Sequence, residues 1–133
     1  RYRGGFGAVR EFTILADEAF TYASFGRTSE PPWGLKGGGT GSCNFMEIES
    51  GDDVQRVARI PYHALKKGDH VRVVTGGGGG YGDAFERPSE EVLADLRNDY
   101  ITLETARAQY GVSLTADGAI DKAATDLLRA ARS

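Results

Sequence analysis

Val73 to Leu93 reads VVTGGGGGYGDAFERPSEEVL: a strand-like segment, five consecutive glycines, then a helix-like segment. Glycine loses more conformational freedom on folding than any other residue, so a run of five is costly to order. Either the backbone turns through positive φ here, or another group approaches so closely that no β-carbon fits. The same residue is abundant elsewhere. Glycine accounts for 19 of 133 residues, about double the usual roughly 7%. It clusters at Gly4, Gly5 and Gly7, at Gly37 to Gly39 and Gly41, and at Gly76 to Gly80 and Gly82. Aromatic and apolar residues separate the clusters, so they read as several close backbone approaches within a fold.

Upstream of the run the pattern is β-rich. Ala8 to Ala16 alternates, Asp17-Glu18 reads as a hairpin turn, and Ala19 to Phe25 reads as the returning strand. Gly26 to Ser42 is a long connection with two prolines, of a length that usually carries function or meets a partner. Asn44 to Glu49 and Val54 to Ile60 flank Ser50-Gly51-Asp52-Asp53, a hairpin signal. Leu65 to Asp69 reads as a turn into a strand over His70 to Thr75.

Downstream the period changes to that of helices. Ser89 to Asn98 has early acids and an apolar stripe at Val92, Leu93 and Leu96, with Pro88 at its start. Thr102 is placed to cap a second helix that Gly111 ends. Asp121 is placed to cap a third, with Arg129 and Arg132 near its C-terminus, where the helix dipole favours cations. The expectation is a single α+β domain, β-rich over 1–82 in hairpins and helical over 83–133, with about three short helices.

Composition narrows the function classes. The net charge of −3 gives no electrostatic reason to expect nucleic acid or an anionic membrane. No apolar run is long enough to span a bilayer. The single Cys43 cannot form an internal disulfide and suits a reducing, cytoplasmic setting. The chain opens without methionine and runs almost directly into a strand, so it reads as a fragment, a cleavage product or part of a subunit. Val9, Phe12, Ile14, Leu15, Phe20, Tyr22 and Phe25 place apolar groups on both strand faces, which suits a sheet covered by partner chains.

The candidate chemistry is sparse. A Walker loop needs Lys-Ser/Thr after its last glycine, whereas Asp83 follows Gly82. A dinucleotide fingerprint needs a following strand, whereas helices follow here. The remaining readings of the run are a loop packed tightly on neighbours, or a wall of N–H groups able to receive an anion. Cys43, His63 and His70 lack metal-ligand spacing, so no metal ligand and no catalytic residue is assigned. Asp83 and Glu86 beside Tyr81 form either an acid/base pair or a helix-entrance acid cluster. Arg1, Arg3 and Arg10 make a small basic cluster suited to an anion or to a salt-bridged partner. Trp33, beside two prolines and a glycine, is a docking anchor or a lid on the core. The substrate- or partner-facing loop is therefore expected to comprise Gly77, Gly78, Gly79, Gly80, Tyr81 and Asp83, with Trp33 and Arg3.

Thr75 to Leu114, together with Arg1 to Gly7, Pro31 to Gly38 and Leu114 to Arg132, resembles the C-terminal region of the hydantoinase B family. That family pattern has a PGGGGYGDP-like loop, an acidic helix, a D-G-Y-V-S-like link and an A-x-x-x-Y-G-V ending. Here the link is Asn98 to Thr102 and the ending is Ala106 to Val112. Gly76 and Ala84 replace the family's two prolines, and Arg87 to Glu90 carries one extra residue. The family includes hydantoinases, 5-oxoprolinases, and acetone and acetophenone carboxylases. The resemblance implies ATP and a divalent metal held in partner subunits, with none bound by this chain. It implies large A-type (ATP-binding) and B-type subunits as partners. It implies a small, non-catalytic subunit or C-terminal fragment of an acetophenone-carboxylase-type complex, or alternatively of a cyclic-amide hydrolase. A stand-alone interaction module is the reading outside that family.

Overall fold

The computed structural model describes residues 1–131. Arg132, expected near the end of the third helix, lies outside the described residues. Among the described residues the architecture is α+β: six strands followed by three α-helices. The chain divides into two compact units. One comprises Gly4–Gly34 and Thr40–Gly79; the other comprises Arg1–Arg3, Leu35–Gly39 and Gly80–Ser133.

The β unit contains β1 (Val9–Thr13), β2 (Glu18–Ser24), β3 (Phe45–Ser50), β4 (Asp53–Val57), β5 (Arg59–Lys66) and β6 (His70–Val74). Four strands form an antiparallel sheet in the order β1-β6-β3-β4, and β2 pairs with β5 in a second sheet. The expected β3–β4 hairpin forms, with Ser50 opposite Asp53. The expected β1–β2 hairpin does not. β1 pairs with β6 and β2 with β5, so consecutive strands enter different sheets. Strand β5 also departs from the sequence expectation. It runs through Pro61, a residue that lacks a ladder donor, to Lys66, inside the stretch that reads as a turn.

Period-two alternation decides which side chains are enclosed. Met46, Ile48 and Val71 of the four-stranded sheet join Ala23 and Leu65 of the two-stranded one in a single buried cluster. The opposite face of the larger sheet carries charge. Register sets Arg56, Glu47, Arg72 and Glu11 in one row across β4, β3, β6 and β1. Successive pairs lie at 2.7, 3.0 and 3.2 Å. Opposite charges directly across strands support register. Arg56 first, then Arg72, holds the Glu47 carboxyl below its ordinary pKa. At the β5–β6 turn, Asp69 accepts from the Lys66 N–H at 2.9 Å and the Ser50 hydroxyl at 2.8 Å. These bonds, in that order, depress its pKa as well.

The helical unit obeys its local signals. Helix α1 spans Ser89–Arg97, α2 Leu103–Tyr110 and α3 Lys122–Ala130. The Thr102 hydroxyl accepts from the Thr105 N–H, and the Asp121 carboxylate accepts from the Ala124 N–H. Gly111 ends α2 in the left-handed conformation at φ 61°. Val92, Ala106 and Val112 form this unit's buried cluster, with Ile101, Tyr110 and Leu114 against it.

Candidate functional site

The glycine run settles its own opening question by close approach. Of its glycines, only Gly82 has positive φ, at 74°. The rest is explained by neighbours standing where β-carbons would be.

In the β unit, Thr75 to Gly79 lies alongside two other stretches of backbone. The N–H groups of Thr75 and Gly78 donate to the carbonyls of Ala8 and Gly5, both at 2.9 Å. Donors and acceptors both step by three residues. A β-ladder would step by two; a step of three is the repeat of a polyproline-II-type strand. On the other side the Ser42 N–H donates to the Gly77 carbonyl at 3.1 Å, and the Gly77 N–H donates to the Ser42 hydroxyl at 2.9 Å. The Gly76 N–H donates to Asn44 Oδ1 at 2.7 Å.

Steric demand follows the same step. A β-carbon at Gly76 would stand 1.9 Å from the Ser42 carbonyl oxygen, and one at Gly79 2.1 Å from that of Trp33. At Gly77 and Gly78 between them, the nearest atoms would be 3.1 and 3.4 Å away. The facing segment repeats the pattern. Gly4 and Gly7 would meet Gly78 and Thr75 oxygens at 2.1 and 1.8 Å, whereas Gly5 has nothing within 4 Å. Collagen places glycine at every third residue for the same reason: only glycine fits where backbones touch.

The helical unit holds the remainder of the run. Tyr2 and Tyr81 exchange N–H···O bonds in both directions at 2.8 Å. The Gly80 N–H donates to Gly39, and the Gly82 N–H to Leu35, each at 2.9 Å. A β-carbon on Gly38 would stand 2.2 Å from the Gly80 oxygen.

The eight candidate residues therefore divide between the two units. Gly77, Gly78 and Gly79 belong with Trp33, whose carbonyl faces Gly79 and whose exposed ring lies 5.3 Å beneath the Arg27 guanidinium. Gly80, Tyr81, Asp83 and Arg3 belong to the helical unit. Asp83 caps a short 3-10 turn over Ala84–Glu86 by accepting from the Phe85 N–H at 3.0 Å. Arg3 donates to Asp95 Oδ2 at 3.0 Å and lies over the Tyr100 ring at 5.4 Å.

That contact exposes residues the sequence reading missed. Asp95, on α1, is buried and also accepts from Arg87 Nη2 at 3.0 Å. Arg87 is buried too, and its Nε has no hydrogen-bond partner among the described residues. Arg129 donates to the carbonyls of Arg87 and Tyr110 at 2.8 and 3.2 Å. The step of four from Arg87 to Glu91 to Asp95 was the available signal. Beside α2 a cavity of about 380 Å³ is lined by Phe85, Glu104, Arg107, Ala108 and Leu128.

The electrostatics follow from this geometry. The N–H groups of Gly76, Gly77, Gly78, Gly80 and Gly82 all donate within the chain. The run thus does not present the converging donors of a phosphate cradle. Asp83 stands where a Walker loop needs lysine, so the run does not form a Walker-type phosphate site. Among the described residues, no group of three or more His, Cys, Asp or Glu side chains is placed to hold a metal ion.

Comparison with known proteins points to one family. Residues 1–84 match the model of the Hydantoinase B/oxoprolinase family. The B-type polypeptide of a putative D-/L-hydantoinase from Pseudomonas sp. (strain NS671) is 36% identical over 97% of this chain and 22% of its own length. The beta polypeptide of the Pseudomonas jessenii caprolactamase is 36% identical over 98% of this chain and 23% of its own. The crystal structure of that organism's ATP-dependent caprolactamase superimposes with a TM-score of 0.73 at 28% identity, covering 98% of this chain and 25% of the other. Nucleotide-free acetone carboxylase shares the fold, with a TM-score of 0.61 at 23% identity over 75% of this chain and 18% of its own. The chain thus spans about a quarter or less of the length of these relatives. It belongs to the Hydantoinase B/oxoprolinase family.

Proposed function

We propose that this chain is a scaffold element of a B-type subunit in an ATP-dependent, multi-subunit enzyme. The observation that carries this reading is the use of the glycine-run N–H groups by the chain's own carbonyls and side chains. A loop engaged in that way shapes a wall; it does not itself hold a substrate anion. ATP and divalent metal belong to larger A-type and B-type partners, in a cytoplasmic complex. Gly77 to Gly80, Tyr81, Asp83, Trp33 and Arg3 act through packing, and no catalytic group is assigned to the chain.

For the reaction, ATP-coupled opening of a cyclic amide is favoured. The relatives at 36% identity carry hydantoinase and caprolactamase names. Carboxylation of a ketone, of the acetone or acetophenone carboxylase type, is the second reading. It is supported by the shared fold with acetone carboxylase.

ATP hydrolysis by the assembled enzyme separates the two. Turnover stimulated by a hydantoin or lactam without bicarbonate supports the amide reading. Turnover that needs both a ketone and bicarbonate supports the carboxylase. For the scaffold role, Gly79→Ala is expected to abolish assembly. Full assembly with turnover alone lost contradicts it.

A further inference from the structure

The outer face of the two-stranded sheet is aromatic. Phe20 and Tyr22 of β2 and Tyr62 of β5 are 54%, 82% and 74% exposed. Phe20 and Tyr62 stack with ring centroids 4.5 Å apart and planes 16° from parallel. The arrangement depends on a backbone irregularity. The β2–β5 register shifts between Thr21 and Ala23, and Tyr62 adopts φ 69°. A positive φ is rare for a bulky residue and carries strain of the kind retained at functional positions. Bulges re-aim side chains. Here the bulge accompanies a ring held outward, beside Phe20, where burial gives it no return within this chain.

We propose that Phe20, Tyr22 and Tyr62 form the seam on which the rest of the B-type polypeptide docks. This rests on the family-based reading above. The occupant follows from lengths. The hydantoinase and caprolactamase relatives match 97% and 98% of this chain but devote only 22% and 23% of their own length to it. The counterparts of β2 and β5 are therefore embedded in polypeptides with over three-quarters of their chain elsewhere. Exposed aromatic clusters are the usual anchors of such interfaces, because rigid rings bury a large area at low entropy cost.

Oxidative labelling tests the seam. The rates at Phe20, Tyr22 and Tyr62 are compared in the isolated chain and in the B-type assembly from native cells. Mass spectrometry must show that the assembly contains sequence matching the remainder of the Hydantoinase B/oxoprolinase model. At least tenfold slower labelling of all three rings in the assembly is expected, with no change on concentrating the isolated chain. Tyr22→Ser should lower recovery of the assembly at least tenfold at an unchanged melting temperature. Tyr62→Gly should also lower recovery, without lowering the melting temperature, because glycine accepts the positive φ. Equal labelling in chain and assembly overturns the seam while leaving the scaffold role standing. Protection on concentrating the isolated chain makes a second copy the occupant and likewise overturns it. Finding no such B-type sequence with the chain overturns both readings.

Discussion

The glycine-packed segments of the β unit and the capped helices of the other unit reach order by opposite routes. Two of the helices carry their boundary signals within about ten residues: Thr102 starts α2 and Gly111 stops it, and Asp121 starts α3. Thr75 to Gly79 has no such local instruction. Its conformation is fixed by Ala8, Gly5, Ser42 and Asn44, which are 32 to 73 positions away in sequence. Glycine serves as a helix stop in one region and as a contact surface in the other. Its loss should therefore differ between them in size and in kind.

The largest effect is expected where two backbones touch. Gly7→Ala sets a methyl 1.8 Å from the Thr75 oxygen, and should cost about 4 kcal/mol or more, or prevent folding. Urea denaturation measures this directly, and a loss below about 1 kcal/mol would break the contrast. Next is the buried ion group. Asp95→Ala leaves the buried Arg87 with only the exposed Glu91 carboxylate, 3.3 Å away, at a cost of about 3 kcal/mol. A cap is worth less: Thr102→Ala should cost about 1 kcal/mol, seen as earlier melting of helical circular dichroism. Gly5→Ala should go the other way. With nothing within 4 Å of the added methyl, it should raise stability by about 0.4–1 kcal/mol through the unfolded state.

Acid sharpens the comparison within the β unit. Glu47 and Asp69 both have depressed pKa values, so the unfolded chain takes up their protons first as pH falls. Their contribution is complete above the ordinary carboxylate range and is lost as pH drops through their lower folded values. The urea midpoint should therefore decline on acidification below that range, and Glu47→Gln should flatten the decline. An equal decline in the variant would remove the Arg56–Glu47–Arg72 row from the account.

Much of this was legible in the sequence, and what was missed shares a cause. The helix caps are local patterns, and all three were found at Thr102, Gly111 and Asp121. The β3–β4 hairpin was carried by its Ser50-to-Asp53 turn. The β1–β2 pairing failed because a plausible turn at Asp17-Glu18 says nothing of which sheet a strand joins. That choice follows from burial of Ala23 and Leu65 against Met46, Ile48 and Val71. Strand β5 was hidden by Pro61 and by the bulge at Tyr62. Asp95 was missed because an acid on an amphipathic helix reads as solvated, and its partners Arg3 and Arg87 are outside that helix. The cost of the glycine run was evident at once. Its three-residue step was also present in the spacing of Gly4 and Gly7, Gly38 and Gly41, and Gly76 and Gly79, but only the backbone contacts give that spacing a meaning.

An alanine scan across Gly76 to Gly80, read as the urea midpoint of each variant, meets the central claim most directly. Two deep minima at Gly76 and Gly79, with mild losses at Gly77, Gly78 and Gly80, is the result the contact geometry predicts. A flat profile, or one deepest at Gly77 and Gly78, would contradict it and return the run to the role of a flexible loop.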